Sequence, residues 1–398
     1  MKILSMKEIK NIVTAMLVGV LILTSVNSLS FDSEKHAFST APRTNNGKKW
    51  RIAYYEGGPH DNYYYYFVAT INGLIDLGWI EPIVIPEQTG NDTKQLWEWL
   101  SNNIKSNYIE FVENAYYGAN WDNVLREKLK NNVFVRINKD KDINLILAMG
   151  SWAGKDLANN KHSVPTLVMS SSDPVNSGII KSNDDSGYDH IHARVDPLRY
   201  ERQIRLFHEI IGFQNLGVAY EDSVYGRSYA AIDLIEKVGA ERDFHITPCF
   251  TQSDIPDQKL AGESVIKCFR ELTKKVDAIY VTVQGGVNPE TIPELVKITN
   301  ENRIPTFSQA GSNGVKYGFL MSISRASFKP VGLFHAATIA QIFNGAKPRQ
   351  LNQLFEESPN IAINLKTAEI VGIYLYADVL AAADEIYNRI DIPNSNIK

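Results

Sequence analysis

From Trp50 onward the chain alternates short apolar runs with stretches whose apolar residues recur at helical spacing. Residues 51–55 read as a first strand, ended by Gly57-Gly58-Pro59. A helix follows over 63–77, with Phe67, Ile71, Leu74 and Ile75 on one face. Residues 82–86 read as a second strand, Asp92 is placed to cap a helix carrying Leu96, Trp97 and Leu100, and 108–112 form a third strand. A helix over 121–131 leads to the run 145–149, unbroken in its apolar character as a parallel strand buried on both faces requires, and 166–169 is the next strand. A second series begins after 182–194. It has a helix opened by Pro197 and running to Ile211, a strand over 216–220, a helix over 228–238 and a strand over 244–249. A helix with Val265, Cys268, Phe269 and Leu272 follows, then strand 278–283, helix 289–300 and strand 306–308. Strands alternating with helices at this spacing predict an α/β protein with two parallel sheets. Ligands of such sheets sit beyond the carboxyl ends of the strands, so the residues of interest follow strands: 56–64, 150–152, 170–174, 221–225, 284–286 and 308–312.

The turn at Gly150-Ser151 carries the most chemistry. A strand, a tight turn and a helix N-terminus leave backbone N–H groups unpaired and pointing outward, and the Ser151 hydroxyl stands beside them. That is a seat for a carboxylate, unless Ser151 only caps its own helix.

The N-terminus differs in kind. Lys2, Lys7 and Lys10 precede an apolar run over 12–26, and Asn27-Ser28-Leu29-Ser30 follows. This is the pattern of a cleaved secretory signal peptide over 1–30, and the run is short for the ~20 residues of a spanning anchor. Residues 31–49 are polar and aperiodic, a flexible leader. Cys249 and Cys268 are the only cysteines, so none follows the signal to accept a lipid. An oxidising compartment allows a bond between them, but two free buried thiols are the expectation from sequence. The 398 residues, with 44% hydrophobic and 22% charged, suit a two-lobed water-soluble protein. A net charge of −4 with scattered Lys and Arg gives no nucleic-acid footprint.

Val164-Pro-Thr-Leu-Val-Met-Ser-Ser-Ser-Asp-Pro174 followed by Asn176-Ser-Gly-Ile-Ile180 resembles the strand, Ser-Asp-Pro turn and Gly-Leu-Val segment of the tryptophan-binding-protein-like ABC transporter substrate-binding proteins. Gly73-Leu-Ile-Asp-Leu-Gly78, Gly150-Ser151, Leu216-Gly-Val-Ala-Tyr220, Val276-Asp-Ala-Ile-Tyr280, Arg303-Ile-Pro-Thr-Phe307 and Asn364-Leu-Lys-Thr-Ala368 match the same pattern in order, from about Trp50 to Gly372. The resemblance implies a type I periplasmic-binding fold, two Rossmann-like lobes joined by a three-crossing hinge. Lobe 1 would be 50–192 with 325–361, and lobe 2 would be 193–324 with 362–398. The crossings would fall at 190–196, 319–324 and 361–365, the helix over 328–345 would return to lobe 1, and a C-terminal helix over 378–390 would lie on lobe 2. It further implies a monomer in the periplasm that binds a small organic ligand, an amino acid first, and hands it to an ABC permease in the membrane. A ligand-sensing module for a membrane receptor or kinase needs the same cleft, and a nucleobase or simple carboxylate is the alternative ligand.

For an amino-acid zwitterion, Ser151, Ser171 and Ser172 can donate to the carboxylate. Asp173, helped from across the cleft by Glu221 or Asp222, can hold the ammonium, unless Asp173 serves its own Asp-Pro turn. Trp152, Tyr225 and one or two of the tyrosines at 63–66 offer aromatic faces. His60 and Ser308 follow strands, and Gln284 offers a donor and an acceptor where relatives often carry an acid. The chain has no Gly-x-Gly-x-x-Gly, Walker loop or His-Glu-x-x-His, and the serine of Gly-Ser-Trp-Ala-Gly is misplaced for a nucleophile elbow, so no enzyme and no cofactor is expected. His190 and His192 share a strand face but lack companions at metal-ligand spacing. Intact-mass measurement on exported protein is expected to show a chain starting near Phe31 without acyl mass; retention of residues 1–30 would refute the signal assignment.

Overall fold

The computed structural model describes residues 38–88, 92–325 and 327–393; the expected signal peptide lies outside them. Residues 39–398 form one compact unit built on two sheets. β1 (Trp50–Glu56), β2 (Ile109–Gly118), β3 (Leu145–Met149), β4 (Thr166–Met169) and β5 (Ile191–Ala193) make the first, in the order β2-β1-β3-β4-β5 and parallel throughout. The second holds β6 (Asn215–Tyr220), β7 (His245–Phe250), β8 (Ala278–Val281), β9 (Thr306–Ser308), β10 (Met321–Arg325), β11 (Pro359–Asn364) and β12 (Glu385–Tyr387). Its order is β12-β11-β10-β9-β8-β6-β7, and only the β10/β11 pair is antiparallel. Every residue of β3 is buried, as its continuous apolar run requires of a strand covered by helices on both faces.

The chain passes between the sheets three times. It leaves the first after β5, where Val195 N donates to Gln353 O (2.8 Å) and Phe355 N to Val195 O (2.9 Å), so two of the passing segments support each other. It returns after β10 into the helix Lys329–Phe343, which lies along the helix Asp61–Asp76. The close approach depends on missing side chains: a Cβ on Gly332 would stand 2.3 Å from Ala69 O, and one on Gly73 would stand 2.8 Å from the Ala336 Cβ. The chain goes back in β11.

Four local expectations are corrected. Residues 82–86 form no strand; Pro82 and Pro86 lack the N–H a ladder needs, and Val84 stands exposed. The helix expected over 228–238 is two, Val224–Tyr229 and Ile232–Arg242, parted where Ala231 turns left-handed at φ 56°. The C-terminal helix expected over 378–390 is only Ala377–Ala381, followed by β12, which meets the edge groups of β11 through Asp384 N to Ile361 O (2.9 Å) and Ile361 N to Asp384 Oδ2 (2.8 Å). The last part of the supposed leader is tied down: Trp79 Nε1 donates to Thr40 O (2.9 Å), Asn344 Nδ2 to Ala41 O (3.0 Å), and Trp50 stacks on Phe343 at 4.6 Å. Among the described residues no helix is long and apolar enough to cross a membrane.

Cys249 and Cys268 are joined in a disulfide, contrary to the expectation of free thiols. The pairing tethers β7, at the sheet edge, to the helix Gln258–Leu272 behind it. The sequence separation of 19 closes a loop that contributes about 3 kcal/mol on the chain-entropy model. The double replacement Cys249→Ser/Cys268→Ser is expected to lose stability of that order in a denaturant titration. An unchanged midpoint would show that the helix packing alone fixes β7.

Candidate functional site

β1, β3 and β4 of the first sheet and β6 to β8 of the second end at a common cleft enclosing about 800 Å³ of non-atom space, part of it open to solvent. Its first-lobe wall is built on the β3 turn. Gly150 takes φ +77°, and a Cβ there would lie 1.8 Å from the Tyr63 hydroxyl, so the tyrosine rests directly on the turn. The helix Gly150–Leu157 starts at that point with Met149 as its N-cap and no side-chain cap. Ser151 therefore does not cap its helix; its Oγ lies 3.0 Å from Ser171 Oγ, which comes from the turn after β4. Ser170, in that turn, is held at φ 58°, an unusual conformation for a residue with a Cβ. Among the described residues Ser172 makes no side-chain hydrogen bond, and it lines the cleft beside Ser151, Ser170 and Ser171.

Aromatic faces surround this serine shelf. Trp152 meets Trp121 edge to face at 5.3 Å and Tyr225 at 6.2 Å. The Arg126 guanidinium lies 4.3 Å over the Trp152 ring, donates to both oxygens of Asp156 (2.8 and 3.0 Å), and reaches across to Tyr225 Oη at 3.1 Å. Tyr55 Oη also donates to Asp156 (2.7 Å). The lobes touch a second time where Ser228 Oγ lies 2.6 Å from Ser177 Oγ and 3.2 Å from Asp173 O, which accepts from it.

The acid facing the shelf is Asp254, on the loop after β7. Burial, then repulsion from Glu221, push its carboxyl up to about 7, against opposing influences from Ser253, the Trp152 indole and Arg126. The Trp152 N–H is itself buried and has no partner in hydrogen-bond geometry among the described residues.

Of the residues expected from sequence, His60, Ser151, Trp152, Ser171, Ser172, Tyr225 and Gln284 line the cleft, and Asp173, Glu221 and Ser308 do not. Asp173 serves its own turn: Oδ1 accepts from Asn176 N (3.0 Å) and Oδ2 from Asn176 Nδ2 (2.7 Å). Glu221 Oε2 accepts the backbone N–H groups of Ser253 (3.1 Å) and Asp254 (3.0 Å), so this carboxylate holds the loop that presents Asp254. Ser308 is buried against Gly314. Gln284 borders the cleft but spends its amide inward, accepting from Thr251 Oγ1 (2.7 Å) and donating to Ala219 O (2.8 Å) and Thr282 Oγ1 (2.9 Å). His60 Nδ1 accepts from Asn62 N (3.1 Å) as the N-cap of the helix Asp61–Asp76. From the tyrosine run, Tyr63 and Tyr66 line the cleft, the i, i+3 pair that one helix face allows. His192 is buried with Nε2 2.9 Å from Asn352 O, and His190 stacks edge to face on His162 at 4.3 Å.

Trp121, Arg194, Arg199, Tyr200, Tyr229 and Asp254 also line the cleft and were missed from sequence. Arg194 lies within the crossing expected over 190–196, and Asp254 lies five residues past the strand read over 244–249, after which no site segment is expected.

Two lobes of mainly parallel α/β sheet, crossed three times and enclosing a polar and aromatic cleft, define a type I periplasmic-binding architecture. Residues 114–387, more than half of the chain, match the model of the ABC transporter substrate binding protein family, and the chain belongs to that family. Three solved structures illustrate the fold. A conserved domain protein from Vibrio cholerae O1 biovar El Tor shares it at TM-score 0.63 and 17% identity, over 85% of this chain and 100% of that one. The ABC domain from Streptococcus pneumonia in complex with L-Trp does so at TM-score 0.63 and 16% identity, with the same coverages. The ligand-free, open form of CD0873, a substrate binding protein with adhesive properties from Clostridium difficile, follows at TM-score 0.55 and 17% identity, again over 85% and 100%. No curated protein sequence matches the chain.

Asp254 provides a pH test. In the fold its proton is held to about pH 7, whereas an ordinary aspartate releases it near 3.8, so the folded chain binds the extra proton between those values. Stability from this group is therefore complete at low pH and is lost as pH rises from about 4 to 7. His162 and His192, held down to about 4 by burial, act in the opposite sense over part of that range, so comparison with a mutant isolates the aspartate. Asp254→Asn is expected to gain on the wild type in melting temperature as pH goes from 5 to 7.5. A constant difference would remove the carboxyl from the low-dielectric side of the cleft.

Proposed function

We propose that the protein captures a small organic ligand, an amino acid, in its cleft outside the cytoplasm and delivers it to an ABC permease. The observation that carries this reading is that Asp254 and the serine shelf line one cleft. Ser151, Ser171 and Ser172, with the N-terminus of the helix Gly150–Leu157 behind them, supply donors for a carboxylate. Asp254, in place of Asp173, is the acceptor for the ammonium. A bound cation would favour the ionised carboxylate that burial and Glu221 disfavour.

The walls favour a ligand with a planar part. Trp121, Trp152, Tyr63 and Tyr225 stand around the shelf, and each stacked contact adds about 0.5 to 1.5 kcal/mol beyond burial. A nucleobase is less well served, because the Gln284 amide that would read its edge is committed to Thr251, Ala219 and Thr282. The chemistry is binding without turnover. Ligand contacts to both walls would add to the bridges already made by Arg126 with Tyr225 and by Ser228 with Asp173, and so favour the closed arrangement.

The test is a thermal-shift screen of the mature chain against amino acids, nucleobases and simple carboxylates, followed by calorimetry. Saturable binding of an amino acid is expected. Ser151→Ala and Ser172→Ala should each weaken it by roughly 0.5 to 1.5 kcal/mol, or up to about 3 for a charged partner. Asp254→Asn should weaken it more than Asp173→Ala. Binding confined to nucleobases, or unchanged affinity in the double serine mutant with its fold intact, would overturn the assignment.

A further inference from the structure

Where the cleft meets the crossing segments, arginines gather around few acids among the described residues. Three arginines, Arg194, Arg199 and Arg202, stand with two carboxylates, Glu357 and Asp196. Arg194 donates to Glu357 Oε1 and to Tyr66 Oη, both at 3.2 Å. Arg202 Nη2 donates to both oxygens of Asp196 (3.1 and 3.2 Å), and Asp196 Oδ2 also accepts Glu357 N (3.2 Å). Arg199 lines the same cavity as Arg194, with its Cζ 5.2 Å from the Tyr200 ring. Among the described residues its side chain makes no ion pair and no hydrogen bond, and its Nε is buried.

The Arg199 Nε–H is withdrawn from water without a hydrogen-bond partner among the described residues, which is costly for a donor. Glu357 and Asp196 favour the Arg199 charge through space, while they accept hydrogen bonds from Arg194 and Arg202. The planar fork matches a carboxylate, which it binds in bidentate fashion. We propose that Arg199 is a second anion subsite of the cleft, so that the ligand is an amino acid whose side chain ends in a carboxylate. The assignment rests on the head-group reading above, with the serine shelf and Asp254 holding the α-carboxylate and ammonium. Tyr63 and Tyr66 line the same cavity as the shelf and Arg199.

The experiment is calorimetry of the wild type, Arg199→Gln and Arg199→Lys with two pairs of probes, L-glutamate against L-glutamine and 4-carboxy-L-phenylalanine against L-phenylalanine. Glutarate is added as a dicarboxylate without an ammonium. The wild type should prefer the acidic member of at least one pair by tenfold or more, Arg199→Gln should erase that preference, and Arg199→Lys should keep part of it. Without ligand, the melts of the variants check that each is folded before its affinities are compared. Equal affinity within both pairs in the wild type, or a preference that survives Arg199→Gln, would overturn the subsite. Glutarate binding that depends on Arg199, with no amino acid bound, would instead sink the head-group reading and leave the subsite standing. If no probe binds, both are wrong.

Discussion

The cleft depends on one steric fact, that the residue following β3 carries no side chain. β3 is buried throughout and its register is fixed on both sides, by β1 and by β4, so its last residue has little freedom to move. Gly150 turns the chain at φ +77° and leaves the space that the Tyr63 hydroxyl fills. Any Cβ would drive the tyrosine out and impose a strained backbone at once. With the turn in place, the next residue is delivered to the cleft as Ser151, the one after as Trp152, and the helix that follows aims its N-terminus the same way. The turn after β4, with Ser170 in the left-handed region, meets it from the neighbouring strand and completes the shelf.

Around that fixed corner the structure separates groups that hold the fold from groups left for something else. Arg126 shows the first kind. Its pair with Asp156 is largely buried, and losing one partner of such a pair costs about 3 to 5 kcal/mol because the other charge stays behind. It also clamps Trp152 from behind, so the indole is oriented before any ligand arrives. Glu221 and Gln284 are of the same kind, one tying down the loop of Asp254 and the other bonded to three neighbours. The second kind comprises the Ser172 hydroxyl and the Arg199 guanidinium, which lie at the cleft and make no side-chain hydrogen bond among the described residues.

Sequence periodicity reads the architecture well because both signals it uses are strong here. Continuous apolar runs mark buried parallel strands, as in β3 and β8, and Asp92 caps the helix Thr93–Asn103 through Lys94 N and Gln95 N. It fails where a pattern lacks a partner to act on. Residues 82–86 are apolar but bounded by prolines, and Pro82, Ile83 and Val84 line a groove with the helix Asp61–Asp76 instead of joining a sheet. Residues 378–390 have helical spacing, but the exposed edge of β11 recruits part of them into β12. The pairing of Cys249 with Cys268 depends on how β7 sits against a helix 19 positions on, a tertiary relation that no local spacing carries.

The site is legible to the extent that it follows strand ends. Ser151, Trp152 and the serines after β4 are found that way, since a doubly wound sheet exposes its strand carboxyl ends to ligand. Asp173 and Glu221 satisfy the same rule and yet face elsewhere, because a short carboxylate beside free backbone N–H groups is captured by them first. Arg194 and Arg199 escape the rule altogether: they come from the segment that carries the chain between lobes, and although the resemblance places a crossing at 190–196, sequence does not show which charges that segment meets. Whether a polar group is spent within the fold or left over is settled only when all its neighbours are known. In this cleft the leftover groups, more than the conspicuous motifs, carry the information about the ligand.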